Sequence, residues 1–239
     1  MPILHFLITA GPTVEDIDPV RFISNRASGK LGVELAAAAL KGGHRATLVH
    51  GPVGDLVGAA IAKLARSSRV TVVPVRSAAQ MYGAVIAHLR GADIVIMSAA
   101  VADFAPVNFS VSKLKKAKQG LVLKLKPTVD ILRDVGRRKG KRATPFLIGF
   151  ALETGTGGTS KQRRASQTSE ALRKLHEKNC DLIVLDSPKA MGASDGDFRV
   201  LSRNGSEWDC SGMTKTALAR NLVKLAAGAI RQKTPQPQR

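Results

Sequence analysis

Apolar residues in this chain come in short runs separated by small and polar segments. Residues 3–10 (Ile-Leu-His-Phe-Leu-Ile-Thr-Ala) show no polar alternation, the pattern of a strand buried on both faces of a parallel sheet. Gly11-Pro12-Thr13 closes the run with a turn, and a loop with two prolines follows. Ser28 then reads as the N-cap of a helix to about residue 41, with Leu31, Leu35 and Ala38 on one face and Gly42-Gly43 as its stop. The same alternation predicts strands at 45–49, 70–75, 92–98, 145–151 and 181–186. It predicts helices at 77–90, from Thr128 or Asp130 onward, and at 166–178. Residues 121–126 alternate apolar and basic, which suits an exposed or edge strand. A hairpin is expected at 198–201 and 207–210 around Asn204-Gly205, then a terminal amphipathic helix at 213–231. The polar tail 232–239, with two prolines, reads as disordered.

Strands alternating with helices predict an α/β fold, a Rossmann-like open parallel sheet flanked by helices, with a small β extension. Ligands of such sheets sit beyond the carboxyl ends of the strands. That directs attention to residues 10–30, 98–116 and 150–155. No boundary divides the chain, so 1–231 reads as a single domain, with a flexible basic loop at about 106–120 and a surface insertion at about 155–168.

Composition narrows the class. An apolar fraction of 44% in 239 residues is enough for a core and excludes general disorder. Two cysteines, Cys180 and Cys210, exclude a disulfide scaffold and a four-cysteine zinc site. No run approaches the ~18 apolar residues of a membrane span. The N-terminus lacks the basic and apolar regions of a signal peptide, so a cytoplasmic protein with reduced thiols is expected. The net charge is +19, and residues 113–142 hold twelve Lys or Arg against only Asp130 and Asp134. Such a segment attracts a nucleic-acid backbone or a polyphosphate, or simply solvates a face. It contains no aromatic residue, which weakens single-strand binding because stacking platforms are missing.

Four segments could carry chemistry. Thr9-Ala10-Gly11-Pro12-Thr13 with Ser24 to Lys30 places a small-residue turn before a helix start, where free N–H groups and the helix dipole favour an anion. The Gly-x-Gly-x-x-Gly and P-loop signatures are both missing. Ser98-Ala99-Ala100-Val101-Ala102-Asp103 lets a ligand approach the backbone and ends in a carboxylate acceptor, or is an ordinary strand end. Lys113-Leu114-Lys115-Lys116 could close over a triphosphate and neutralise its charge. Gly149 to Thr154 lies at another strand end, where Phe150 could stack on a base or fill core. None of the five histidines has metal-ligand spacing, and no Gly-x-Ser-x-Gly elbow is present.

Together and in order, these segments, with Asp18-Pro19-Val20-Arg21-Phe22-Ile23-Ser24-Asn25, resemble phosphopantothenate–cysteine ligase, the synthetase half of the bifunctional coenzyme A biosynthesis protein. The resemblance covers roughly residues 1–190. The flavin-binding decarboxylase half has no counterpart, so the resemblance implies a free-standing, flavin-independent ligase. It would join 4′-phosphopantothenate to L-cysteine through an acyl-nucleotidylate, using CTP or ATP with Mg²⁺. By resemblance Asn25 and Lys113 are catalytic; Gly11, Arg21, Asn25, Ala99 and Ala100 line the substrate site. Met97, Asp103, Lys113, Val129, Asp130, Ile131, Leu132, Phe150, Lys174 and Lys178 line the nucleotide site. No protein metal ligand is assigned. The family dimerises, with the β extension implied as the contact and Arg21 reaching a neighbouring subunit's substrate; a separate phosphopantothenoylcysteine decarboxylase is an implied partner. Two departures stand out: the family's Pro-Asp-Ile is Val129-Asp130-Ile131, and its late Ala-Asn-Asp is Leu185-Asp186-Ser187.

Two other classes remain open to the residues themselves. One is a basic nucleic-acid-binding protein using 113–142, although specific binding is not expected. The other is an NAD(P)-dependent reductase on the same kind of sheet, against which the missing glycine signature counts.

Overall fold

Six of the predicted apolar runs become neighbouring strands. In the computed structural model, which describes residues 2–116, 120–186 and 195–233, an eight-stranded sheet has the order β12-β11-β10-β9-β6-β1-β4-β5. Its parallel part comprises β1 (His5–Ala10), β4 (Arg45–His50), β5 (Val70–Pro74), β6 (Ile94–Met97), β9 (Phe146–Leu152) and β10 (Leu182–Asp186). The hairpin β11 (Asp195–Ser202) and β12 (Glu207–Thr214) continues it antiparallel from β10.

Alternate side chains of β1 enter opposite layers, as a period of two requires. Phe6 and Ile8 pack with Val33, Leu35 and Ala36 of α1 (Lys30–Lys41), with α2 (Asp55–Ala65) and with Leu218 and Leu222 of α6 (Lys215–Lys233). Leu7 packs on the other face with Met81 of α3 (Ala78–Leu89), Val135 of α4 (Ile131–Lys139) and Leu175 of α5 (Ser160–Glu177). Both sheet faces are thus covered, which explains the unalternated runs. Among the described residues, no helix is long and apolar enough to cross a membrane.

The chain leaves β1 toward β4 and β5, then returns through α3 to place β6 on the other side of β1. That reversal makes the β1/β6 boundary the topological switch point, where the following loops diverge and leave a crevice. Two ribbons stand near it: β2 (Val14–Asp16) with β3 (Phe22–Ser24), and β7 (Phe104–Pro106) with β8 (Leu125–Pro127).

Several expectations need correction. Ser28 does not cap α1; Gly29 does, at φ 79°, with no side-chain cap. The terminal helix runs through Lys233, so residues 232–233 are not tail, and 234–239 lie outside the described residues. The expected insertion at 155–168 is largely helix, because Thr159 and Gln162 form a capping box that starts α5 at Ser160. The 121–126 segment is exposed throughout, as expected, but only Leu125–Pro127 is strand, as β8 in the small ribbon with β7. The basic loop is not free along 106–120: Pro106 belongs to β7, and Val107, Ser110 and Leu114 are hydrogen-bonded through their backbones, while 117–119 lie outside the described residues. Helix α2 and ribbon strands β2, β3 and β7 have no counterpart among the predicted elements.

Candidate functional site

The switch point is built from small residues. Beyond β1 and β6 the chains stay paired, with Ala100 N donating to Gly11 O at 2.9 Å and Thr13 N to Ala100 O at 3.3 Å. Ser98 Oγ donates to Thr9 O and Thr13 Oγ1 accepts from Ala102 N, so these hydroxyls are committed to holding the loops together. Gly29 brings the start of α1 against Gly11: a Cβ there would lie 2.8 Å from Val53 Cγ1 and 3.1 Å from Gly11 Cα, and its positive φ suits glycine. The first turn of α1, lacking a side-chain cap, therefore begins at the floor of this crevice.

Asn25, just past β3, is exposed but anchored, its Nδ2 donating to Ala100 O (3.1 Å) and Val101 O (2.9 Å). Arg21 lies in the turn between β2 and β3 and pairs with Asp18 at 2.5 Å. Its Nη2 also donates to Leu114 O at 2.7 Å, bringing Lys113 and the basic loop beside the same ribbon. Burial opposes the charge of Asp18. The Arg21 side chain and the backbone N–H groups of Val20, Leu114 and Arg21 outweigh it, holding the carboxyl far below the usual carboxylate range. Asp103 is exposed at the β6 loop, and its carbonyl accepts from Thr128 N at 2.9 Å.

That bond links the switch point to a second group of predicted residues. Asp130 caps α4 through Arg133 N and pairs with Lys178 Nζ at 3.0 Å. Lys174 pairs with Glu153, at the end of β9, and with Glu170. Val129 is half exposed, whereas Ile131 and Leu132 are core residues; their side chains cannot meet a ligand, and only the backbone at the start of α4 is available there. Met97 is buried, and Phe150 is partly buried against the core. Asp18, Glu153 and Glu170, which hold Arg21 and Lys174, were not singled out from the sequence, since a lone acid carries no signal until its basic partner is placed.

The basic stretch does not form one surface. Arg133 pairs with Asp130 and Glu177, Arg137 and Arg138 with Asp134, and Lys139 with Asp181. The Arg138 hydrogen bond, chiefly, lowers the Asp134 pKa to about 2 despite partial burial. The basic residues of α4 are therefore paired with nearby carboxylates, while Lys113, Lys115 and Lys116 on the loop, Lys124 and Lys126 at β8, and Lys141 and Arg142 after α4 stand exposed. A cavity of about 1000 Å³ between the β11–β12 hairpin and α6 is lined by Leu182, Val200, Trp208, Met213 and Leu222 and by none of the predicted site residues.

The family model for the DNA/pantothenate metabolism flavoprotein C-terminal domain matches residues 3–229. The chain is 43% identical to the coenzyme A biosynthesis bifunctional protein CoaBC of Bacillus subtilis, over 95% of this chain and 52% of that protein. It is 44% identical to a protein of an unknown prokaryote named cysteine/cysteine sulfinic acid decarboxylase, over 79% of this chain and 47% of that one. The chain thus spans about half the length of these curated relatives. The crystal structure of the C-terminal domain of a CoaBC protein superposes with a TM-score of 0.74 at 33% identity, covering 96% of this chain and 97% of that one.

Proposed function

The chain belongs to the DNA/pantothenate metabolism flavoprotein C-terminal domain family, and from that premise we propose that it is a phosphopantothenate–cysteine ligase of coenzyme A biosynthesis. The observation that carries the proposal is the β2–β3 ribbon, which sets Asn25 on the Ala100 and Val101 carbonyls at the β1/β6 switch point and, at its turn, holds Arg21 against the Lys113 loop. The name of the decarboxylase relative describes a protein of which this chain covers less than half, and the match to a C-terminal domain favours the ligase reading.

In this reading the carboxylate of 4′-phosphopantothenate attacks the α-phosphorus of CTP or ATP. The bond to the β-phosphate oxygen breaks, pyrophosphate leaves, and an acyl-nucleotidylate forms. The cysteine amine then attacks the acyl carbon, losing a proton as the nucleoside monophosphate departs, and an amide results. Both first substrates are anions, so the main barrier the protein must lower is their mutual repulsion. Lys113, with Lys115 and Lys116, supplies exposed ammonium groups; Gly11 and the α1 first turn beyond Lys30, whose own N–H is held by Ser28 Oγ at 3.4 Å, supply backbone donors. Ala99 and Ala100 keep the floor low, and Asn25 holds its shape. Lys174 and Lys178, now paired with Glu153 and Asp130, are placed to exchange those partners for phosphate oxygens.

Mg²⁺ would enter with the triphosphate and neutralise phosphate charge. Among the described residues no group of three or more His, Cys, Asp or Glu could hold a metal by itself. The exposed Asp103 carboxylate at the crevice fits an ion carried mainly by phosphate oxygens. We further propose that the domain works in the cytoplasm as a homodimer and that its product passes to a phosphopantothenoylcysteine decarboxylase.

A coupled pyrophosphate assay with CTP, ATP, GTP and UTP in parallel tests the reading. Release is expected only with 4′-phosphopantothenate and one or two of the nucleotides, and amide only after cysteine is added. No release with any of the four, or release without phosphopantothenate, would sink it.

A further inference from the structure

Asp18 is the most completely buried carboxylate of the switch-point region, its side chain shielded from solvent altogether. Its two oxygens are used differently. Oδ1 accepts from the backbone N–H of Val20 and of Arg21, both at 2.9 Å, and shapes the turn between β2 and β3. Oδ2 accepts from Arg21 Nε at 3.0 Å, from Arg21 Nη2 at 2.5 Å, and from the backbone N–H of Leu114 at 3.1 Å. The same Nη2 donates to Leu114 O at 2.7 Å. Leu114 therefore has its N–H and its C=O held by two side chains more than ninety positions away. The peptide planes on both sides of it are fixed, while the neighbouring Lys113 and Lys115 side chains stay exposed. Ser110 N, donating to Ile17 O at 3.0 Å, ties the loop to the turn a second time. With Nε and Nη2 engaged, Nη1 of Arg21 has no hydrogen-bond partner among the described residues, on a side chain that is 40% exposed.

We propose that Asp18 is a positioning residue: it clasps the backbone of the Lys113–Lys116 loop against the crevice and orients Arg21 so that Nη1 faces outward to an anion. This rests on the ligase reading of the same site. Asp18 touches no substrate in the scheme above. Its effect runs through Leu114 and Arg21, and charge-assisted bonds in a shielded spot make it strong. An acid directly before a proline in a turn would ordinarily be a solvated side chain; burial beneath five donors is what sets this one apart.

Asp18→Asn separates the two oxygens. An amide oxygen can keep the turn bonds, but an NH₂ in place of Oδ2 cannot accept from Arg21 or Leu114. Trypsin cleavage after Lys113, Lys115 and Lys116 in substrate-free protein is expected to speed up about tenfold, as one buried charged hydrogen-bond set is lost. In the pyrophosphate assay kcat should fall and KM for the nucleotide should rise, together lowering kcat/KM by roughly tenfold or more, with KM for cysteine unchanged. Loss of general integrity would move all three constants. Cleavage and kcat/KM within twofold of wild type in folded Asp18→Asn would overturn the proposal. If that variant fails to fold, Arg21→Met, which keeps the length of the side chain but has no donor for Asp18 or Leu114 O, must give the same acceleration of cleavage; an unchanged rate overturns the clasp. A wild-type enzyme that releases no pyrophosphate ends the ligase reading instead, a result the substrate-free digestion does not depend on.

Discussion

Asn25 gives both of its amide hydrogens to carbonyls of the β6 loop, Ala100 O and Val101 O. Removing the side chain would take this donor from Val101 O, leave Ala100 O only its 3.3 Å bond from Thr13 N, and loosen the loop that a reacting acyl group would lie on. Asn25→Ala is therefore expected to let pyrophosphate release continue while amide formation falls by about 10²-fold, the scale of a lost preorganised donor. Lys113→Gln should do the reverse, slowing pyrophosphate release because the triphosphate loses an exposed ammonium group. Quantifying pyrophosphate and amide product in the same reaction checks both, and equal losses in the two steps for both variants would contradict the division of labour. Asn25 and Lys113 were legible in the sequence only through the order of small motifs around them. Asp18 and Glu153 were not, because a carboxylate's role depends on which base the fold brings to it.

Helix α1 has to reach the end of β1 for the crevice to have a floor. Gly32 permits it: a Cβ there would lie 2.9 Å from Ala10 Cα and closer still to Ala10 Cβ. Gly→Ala inside a helix normally gains about 1 kcal/mol from propensity. Here overpacking against strand backbone, typically costing 1–3 kcal/mol, should win. Gly32→Ala is expected to lower the denaturant midpoint by the equivalent of about 1–2 kcal/mol, as judged by urea unfolding; a more stable variant would show that the helix can shift without penalty. Element boundaries were less legible than element existence. Ser28 is a good cap residue, but the chain must turn into α1 through a left-handed position, which Gly29 supplies. α2 escaped notice because Gly51, Pro52, Gly54 and Gly58 punctuate its approach and first turn, and only Ile61 and Leu64 of it are buried.

At the scale of the whole molecule, the amino end of the sheet is closed by His44. Its Nδ1 accepts from Leu4 N at 3.3 Å, its ring lies 5.4 Å from that of Phe6, and it is buried. Burial first, and then the charge of Arg231, lower its pKa below the ordinary 6.5. The unfolded chain therefore takes up a proton first as pH falls. The stability that neutral His44 contributes is complete above about pH 6.5 and is lost as the pH drops below it. Urea midpoints measured from pH 7.5 to 5.5 should decline in the wild type and flatten in His44→Gln; identical slopes would assign the decline to other groups. The ion pairs of α4 belong to this scale as well, since they engage Arg133, Arg137, Arg138 and Lys139 with carboxylates of their own and neighbouring elements.

The layered α/β architecture, and the edge of the sheet where ligands would gather, follow from the sequence alone, because strands buried on both faces must be apolar without alternation and their periodicity is local. What needed the tertiary structure was every relation between distant residues. The return of the chain across β1 created the switch point. The Asp18–Arg21 hold on Leu114, the Asp130–Lys178 and Glu153–Lys174 pairs, and the pairing of the α4 bases between exposed basic segments came with it. Charge pairing and burial are properties of neighbours in space, and a linear pattern names the charges without saying which of them meet.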